Sequence, residues 1–372
     1  MKRLIYADNA ATTKLDIDAF EAMKPYLLDE YGNASQPYSF ARSAKKALKE
    51  AREIIAECIG ALPEEIYFTS GGTESDNWAI KGAAFVDENK RATITSQIEH
   101  HAILNACASI ERLGYPVEYL PVDTTGTVTV DMLNLFITDR TRLVSVMFSN
   151  NEIGSIQPIQ DLCLVAHEHG AIFHTDAVQS VGHIEINVDA LGIDMLSSSA
   201  HKFNGPKGIG FLYVRKGKQI SSFNDGGSQE FGMRAGTENV ASIVGMAVAL
   251  KKNCDIMSET TLRLMTQEQL LLDGLNGIQF RRNGSENHIP GNISLSFPGF
   301  EGEAILHRMD LYGISISNGS ACDSVNTQIS HVLKAIALEE VYAKGTIRIS
   351  LGKNNTDGDA IEIAKALRRI VT

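Results

Sequence analysis

Over about its first two thirds, the 372-residue chain alternates short apolar runs with segments of helical periodicity, and this limits the fold more than any other feature. Strand-like runs fall at 66–69, 92–95, 117–120, 143–148, 171–174 and 195–198. Helix-like stretches occupy 43–59, 73–85, 102–113, 132–137 and 159–169; in the first, Ala44, Ala47, Leu48, Ala51, Ile54 and Ile55 share one side. The alternation predicts an α/β architecture, a mainly parallel sheet with helices on both faces, in which ligands bind beyond the carboxyl ends of the strands. After Gly236 the texture changes. Residues 239–275 read as mostly helical, 293–297, 314–317 and 346–351 as strands, and 329–337 and a segment from Asp357 as helices. This reads as a smaller α+β domain of residues 1–14 and 251–372 beside a large domain of residues 15–250.

The bulk composition excludes several function classes. A hydrophobic content of 44% with 21% charged residues is ordinary for a chain with a sizeable core. A net charge of −11 argues against nucleic acid as a partner, because phosphate binding needs a basic face. No apolar run approaches the ~20 residues that span a bilayer, and no long apolar stretch follows Lys2 and Arg3 as a secretory signal requires. Five cysteines without tight spacing form no disulfide framework. The expectation is a soluble cytoplasmic protein with reduced thiols and no membrane partner.

The segment from Ser197 to Pro206, SSSAHKFNGP, places Lys202 among small and hydrogen-bonding residues with no acidic neighbour. Lysines in such settings often act as Schiff-base nucleophiles, since partial desolvation frees the amine lone pair; an ordinary loop lysine is the alternative. Upstream, Asp176 follows a short apolar strand in His174-Thr175-Asp176-Ala177-Val178-Gln179. An aspartate able to pair with a pyridinium nitrogen, followed by such a lysine, is the protein's side of pyridoxal 5'-phosphate (PLP) chemistry.

Other segments carry compatible chemistry. Thr69-Ser70-Gly71-Gly72-Thr73 joins a strand end to a helix start, where a glycine pair and the helix dipole suit a phosphate; a plain N-cap at Thr73 is the competing reading. Glu99-His100-His101 lies between a strand and a helix, and an imidazole there can stack on a cofactor or shuttle protons. Asn150 and Asn151 leave a strongly apolar strand, either for a polar contact or for the turn before Gly154. Arg348 interrupts an apolar strand, which suits bidentate binding of a carboxylate, an edge position or an internal ion pair. Cys58, Cys107, Cys163 and Cys254 fall in helix-like stretches, whereas Cys322 stands in a polar loop that could expose a thiolate. His167-Glu168-His169 lacks the spacing of a zinc motif.

In order, the segments SGGTESDN, EHHA, NNEIG, HTDAVQS, SSAHKFNGPKGIG, RAGTEN, NGSAC and IRISLG resemble the cysteine desulfurases. These are NifS-like members of the class-V aminotransferase group with the fold-type I PLP architecture. The resemblance runs from Tyr6 to Arg348 and implies a seven-stranded, mainly parallel sheet in the large domain. It implies that Lys202 carries PLP as a Schiff base, that Asp176 pairs with the pyridinium nitrogen, and that His100 rather than His101 stacks on the ring and moves protons. Gln179 would contact the phenolic oxygen, and Asn151 the ring oxygen and substrate. Gly72, Thr73, Ser199 and His201 would cradle the phosphate. Arg348 would clamp the carboxylate of L-cysteine. Thr237 would reach the phosphate of a second subunit, implying a homodimer. Cys322, on a mobile loop of the small domain, would take the sulfur as a persulfide for an acceptor or scaffold protein serving iron–sulfur cluster assembly, tRNA or cofactor thiolation.

Departures from the family pattern are Ala34 after Gly32-Asn33 and the loop from Asp323 to Ile329, which lacks a Glu-Pro pair. They bear on the sulfur acceptor rather than on catalysis. The alternatives are a selenocysteine lyase, another class-V aminotransferase-like enzyme, or an idle assembly partner; Cys322 favours sulfur chemistry.

Overall fold

The structure, a computed structural model, describes residues 4–86, 92–318 and 329–372. Its strands are β1 (Ile5–Tyr6), β2 (Ile66–Thr69), β3 (Ala92–Ser96), β4 (Val117–Leu120), β5 (Thr141–Ser145), β6 (Ile172–Asp176), β7 (Met195–Ser199), β8 (Gly210–Val214), β9 (Arg281–Asn283), β10 (Asn292–Ser296), β11 (Ile314–Ser315) and β12 (Thr346–Ser350). Seven of them form one sheet in the order β2-β8-β7-β6-β5-β3-β4. All neighbours are parallel except β8, which runs antiparallel to both β2 and β7. The mainly parallel sheet expected from the alternation is therefore present.

Sequence periodicity missed β8. Its run Gly210-Phe211-Leu212-Tyr213-Val214 is buried throughout, and a fully buried strand shows no polar alternation. The strand expected at 143–148 closes as β5 at Ser145, yet its pairing persists, because Val146 and Phe148 donate to the carbonyls of His174 and Asp176. The helical stretch 239–275 is broken at Ile256 into helices Val240–Asp255 and Met257–Gly274.

Helices cover both faces. Helix Arg42–Ile59 buries Ala44, Ala47, Ala51, Ile55 and Ile59 along one stripe and ends at Gly60 in the left-handed conformation, φ 69°. Helix Gly72–Ala84 packs against the opposite face with Trp78, Ile80 and Ala83 in a core shared with Ile103, Ile110 and Met195. A separate core surrounds the antiparallel sheet β12-β10-β9 and gathers Leu271, Ile305, Ile347, Ile349, Ile363 and Leu367. The N-terminal β1 pairs in parallel with β11, and Asp8 bridges to Ser350, so the chain's start is stitched to its last strands. That stitching brings residues 8–12 over the carboxyl edge of the seven-stranded sheet. Among the described residues no helix is long and apolar enough to cross a membrane.

Candidate active site

β3, β5, β6 and β7 point the same way, so the residues that follow them meet at one edge. Asp176 closes β6, Lys202 follows β7, His100 caps the helix after β3, and Asn151 lies beyond β5. β2 delivers Gly72 and Thr73 to the same edge, and Arg348 arrives from the other sheet on β12. One cavity of about 540 Å³ is lined by all of these and by Gln179, Ser199 and His201. Thr237 is exposed and does not line the cavity. Cys322 lies outside the described residues.

Lys202 sits in a short turn of 3-10 helix that leaves the buried strand β7. Its ammonium donates to the carbonyls of Ala10 and Ala11 at 2.6 and 2.9 Å, and Gln179 Nε2 donates to Ala10 at 3.0 Å. The N-terminal segment thus forms a wall of the cavity. His201, half-buried, is held by Thr12 Oγ1 at 3.1 Å; burial, with the nearby Lys202 charge, pushes its pKa down to about 4.

Asp176 is buried, and its Oδ1 accepts from the Val178 N–H at 2.9 Å. Burial raises its pKa above the ordinary carboxylate value, partly offset by His100 and Lys202. His100 accepts from the Ala102 N–H at 3.1 Å through Nδ1, which caps its helix and fixes the ring's tilt. Burial lowers its pKa. His101 turns away and stacks edge-on against His331 with centroids 4.9 Å apart. The histidine pair is therefore divided between cavity and helix packing.

The two asparagines divide as well. Asn150 Oδ1 accepts from the N–H groups of Glu152 and Ile153, and its amide donates to the Ile98 carbonyl, so it builds the turn. Asn151 reaches the cavity, and its carbonyl accepts from Arg348 Nη1 at 3.0 Å.

The start of helix Gly72–Ala84 fits a phosphate. Its N-cap, Gly71, provides no side-chain cap and stands at φ 148°, which favours glycine. A Cβ on Gly72 would lie 2.6 Å from Val178 Cγ2, so only glycine lets the backbone lie this close to that wall. Glu74 fixes the turn by accepting from the Ser70 N–H at 3.0 Å and from Arg234 Nε at 2.8 Å. With a lysine, a buried aspartate and an uncapped helix start in one cavity, the residues present fit PLP. Sequence reasoning missed Asp76, which also lines this cavity; its one signal is that it falls in phase with Gly72, Ala79 and Ala83 on the buried side of the helix.

The sheet order and this edge-mounted site define a class, and the chain belongs to it: the class-V aminotransferase family, matched over residues 5–362. Within that family it groups with the NifS-like cysteine desulfurases. It is 49% identical to the cysteine desulfurase IscS of Dictyoglomus turgidum, covering 100% of this chain and 95% of that protein. Among solved structures, a NifS-like protein superposes with a TM-score of 0.94 at 36% identity, covering 99% of each chain. The structure titled SspA in complex with cysteine gives a TM-score of 0.84 at 39% identity, covering 94% of this chain and 99% of that one.

Proposed function

We propose that this protein is a PLP-dependent cysteine desulfurase that converts L-cysteine to L-alanine and receives the sulfur on Cys322. The observation that carries the reading is the meeting of Lys202, Asp176, Arg348 and the uncapped helix start at Gly72 in one cavity. The structure titled as a complex with cysteine supports the choice of substrate.

Lys202 is the covalent anchor for the cofactor, and Gly72, Thr73, Ser199 and His201 hold its phosphate. Bound PLP supplies an electron sink for negative charge developing at the substrate α-carbon. Asp176 would set the charge at the ring nitrogen, His100 would pack on the ring, and Gln179 and Asn151 would hold its oxygen side. Arg348 binds the substrate carboxylate, which fixes the thiol-bearing carbon relative to the ring. The Lys202 amine would be placed to take the substrate α-proton and return it. The Cys322 thiolate attacks the substrate sulfur and the C–S bond breaks, so L-cysteine and one thiol become L-alanine and one persulfide. An ordinary thiol with a pKa of ~8.5 is only a few per cent thiolate at neutral pH, so the site must activate it. The persulfide is then passed to an acceptor or scaffold protein. Thr237, exposed ahead of helix Val240–Asp255, is assigned to the phosphate of a second subunit in a homodimer.

The test is direct. Purified protein and its Cys322→Ala variant are incubated with L-cysteine and a reductant, and alanine and sulfide are measured. The parent releases both in equal amounts and the variant neither. A parent that binds PLP yet releases neither product overturns the reading.

A further inference from the structure

Beneath the cavity lies a buried polar cluster that the assignments above leave unused. Asp76 projects from the second turn of helix Gly72–Ala84 and is 1% exposed. Its Oδ1 has no hydrogen-bond partner among the described residues and lies 3.9 Å from His174 Nε2. Its carboxyl group lines the same cavity as Asp176. Ser197 is paired in register with Asp176 across β6 and β7. His174 completes the cluster, with Nδ1 2.9 Å from Ser145 Oγ and Nε2 3.0 Å from Ser197 Oγ.

Two buried carboxyl groups in the wall of one cavity cannot both ionise cheaply, and the low dielectric sharpens the conflict. Other titratable groups face them: Glu99 and His100 before helix His101–Glu111, and Lys202 after β7. Arg142 meets helix Gly72–Ala84 near its far end, at the Ala83 carbonyl. The asymmetry comes from hydrogen bonding. Asp176 accepts a backbone N–H from Val178 and faces His100 and Lys202, all of which favour its anion. Asp76 has no backbone N–H donor of this kind, and its Oδ1 is orphaned among the described residues. Burial and the facing Asp176 hold the Asp76 carboxyl well above the usual range, and burial drives His174 down to about 3, so the histidine offers no compensating cation.

We propose that Asp76 is the proton-holding member of a buried carboxyl pair with Asp176, a positioning residue that leaves Asp176 the single anion facing the ring nitrogen of the bound cofactor. The inference rests on the PLP reading of the cavity. It assigns no bond-making step to Asp76. Its proton is retained at neutral pH, where its carboxyl lies 3.9 Å from the His174 ring on β6.

Infrared difference spectra of the PLP-bound enzyme, in light and heavy water at neutral pH, test this. The carbonyl stretch of a protonated carboxylic acid should be present and should move on carbon-13 labelling of aspartate side chains, which needs no variant. Glu99→Gln separates any glutamate signal, since burial raises Glu99 to about 8. Asp76→Asn, a neutral mimic, should remove the aspartate band. It should also leave the pH midpoint of the cofactor's visible absorption in place, whereas loss of a charged neighbour would move that midpoint by roughly one unit or more. A label-insensitive band, a band that survives in Asp76→Asn, or a moved midpoint overturns the proposal alone. A parent protein that develops no visible band with PLP overturns the cofactor reading and this proposal with it.

Discussion

Arg348 and Asp8 form an ion pair at 2.8 Å, Nη2 to Oδ1, although 340 residues of chain separate them. The guanidinium is almost wholly buried on β12, and its Nε has no hydrogen-bond partner among the described residues. Asp8 therefore aims the guanidinium while leaving donor hydrogens for a ligand. Arg348→Lys keeps the charge and loses the planar fork, which should raise KM for L-cysteine by roughly 10- to 100-fold with a smaller change in kcat. Steady-state kinetics decide the point: a fall in kcat at constant KM removes Arg348 from substrate binding.

Asp8→Asn should behave differently. With its partner neutral, the buried guanidinium is uncompensated until a carboxylate arrives. The variant should melt at lower temperature than the parent and regain more of its Tm on adding a small amino acid. Equal ligand-induced shifts in the two proteins would separate Asp8 from the carboxylate site.

Lys202→Ala should abolish turnover while the cavity still binds PLP noncovalently. Borohydride reduction followed by peptide mass mapping should place the cofactor on Lys202 in the parent and on no residue in the variant. Covalent attachment at another lysine contradicts the assignment.

Gly72→Ala places a methyl 2.6 Å from Val178 Cγ2, at the helix start proposed to hold the phosphate. Overpacking of this kind costs about 1–3 kcal/mol, so PLP affinity should fall by roughly 5- to 100-fold in a spectral titration. A second change, Val178→Ala, should restore part of it by making room. An unchanged affinity in Gly72→Ala would move the phosphate elsewhere.

The buried histidines set an acid limit on stability. His174 titrates near 6.5 when unfolded and is pushed down to about 3 in the fold. As pH falls below about 6.5 the unfolded chain takes up the proton first, so stability present at neutral pH is lost, by about 2 kcal/mol at pH 5 from this residue alone. Glu99, raised to about 8, has the opposite sign: its contribution is present below about 4.5 and fades as pH rises through 8. His174→Gln should flatten the acid limb of stability against pH, measured by urea unfolding between pH 4.5 and 6.5. A slope that does not change assigns the acid limb to other groups.

Much of the site was legible in the sequence because its residues follow strand ends, and strands betray themselves as short apolar runs. Lys202, Asp176, His100 and Asn151 all stand just past such runs, and the structure brings them to one cavity. Where local pattern was ambiguous, long-range contact decided. His100 and His101 are adjacent and chemically alike; only the direction of the helix start sends one into the cavity and the other against His331. Asn150 and Asn151 divide in the same way between a turn and the cavity.

The sequence by itself determined the alternating architecture and the residue types that a PLP site needs, because periodicity and side-chain chemistry are local properties. Only the tertiary structure decided which groups share an environment. It set Asp8 on Arg348, laid the Ala10 and Ala11 carbonyls against Lys202, and buried Asp76 in the wall of the cavity that Asp176 lines. Charge, burial and proton affinity depend on neighbours in space, and the parallel crossovers of this sheet make those neighbours distant in sequence.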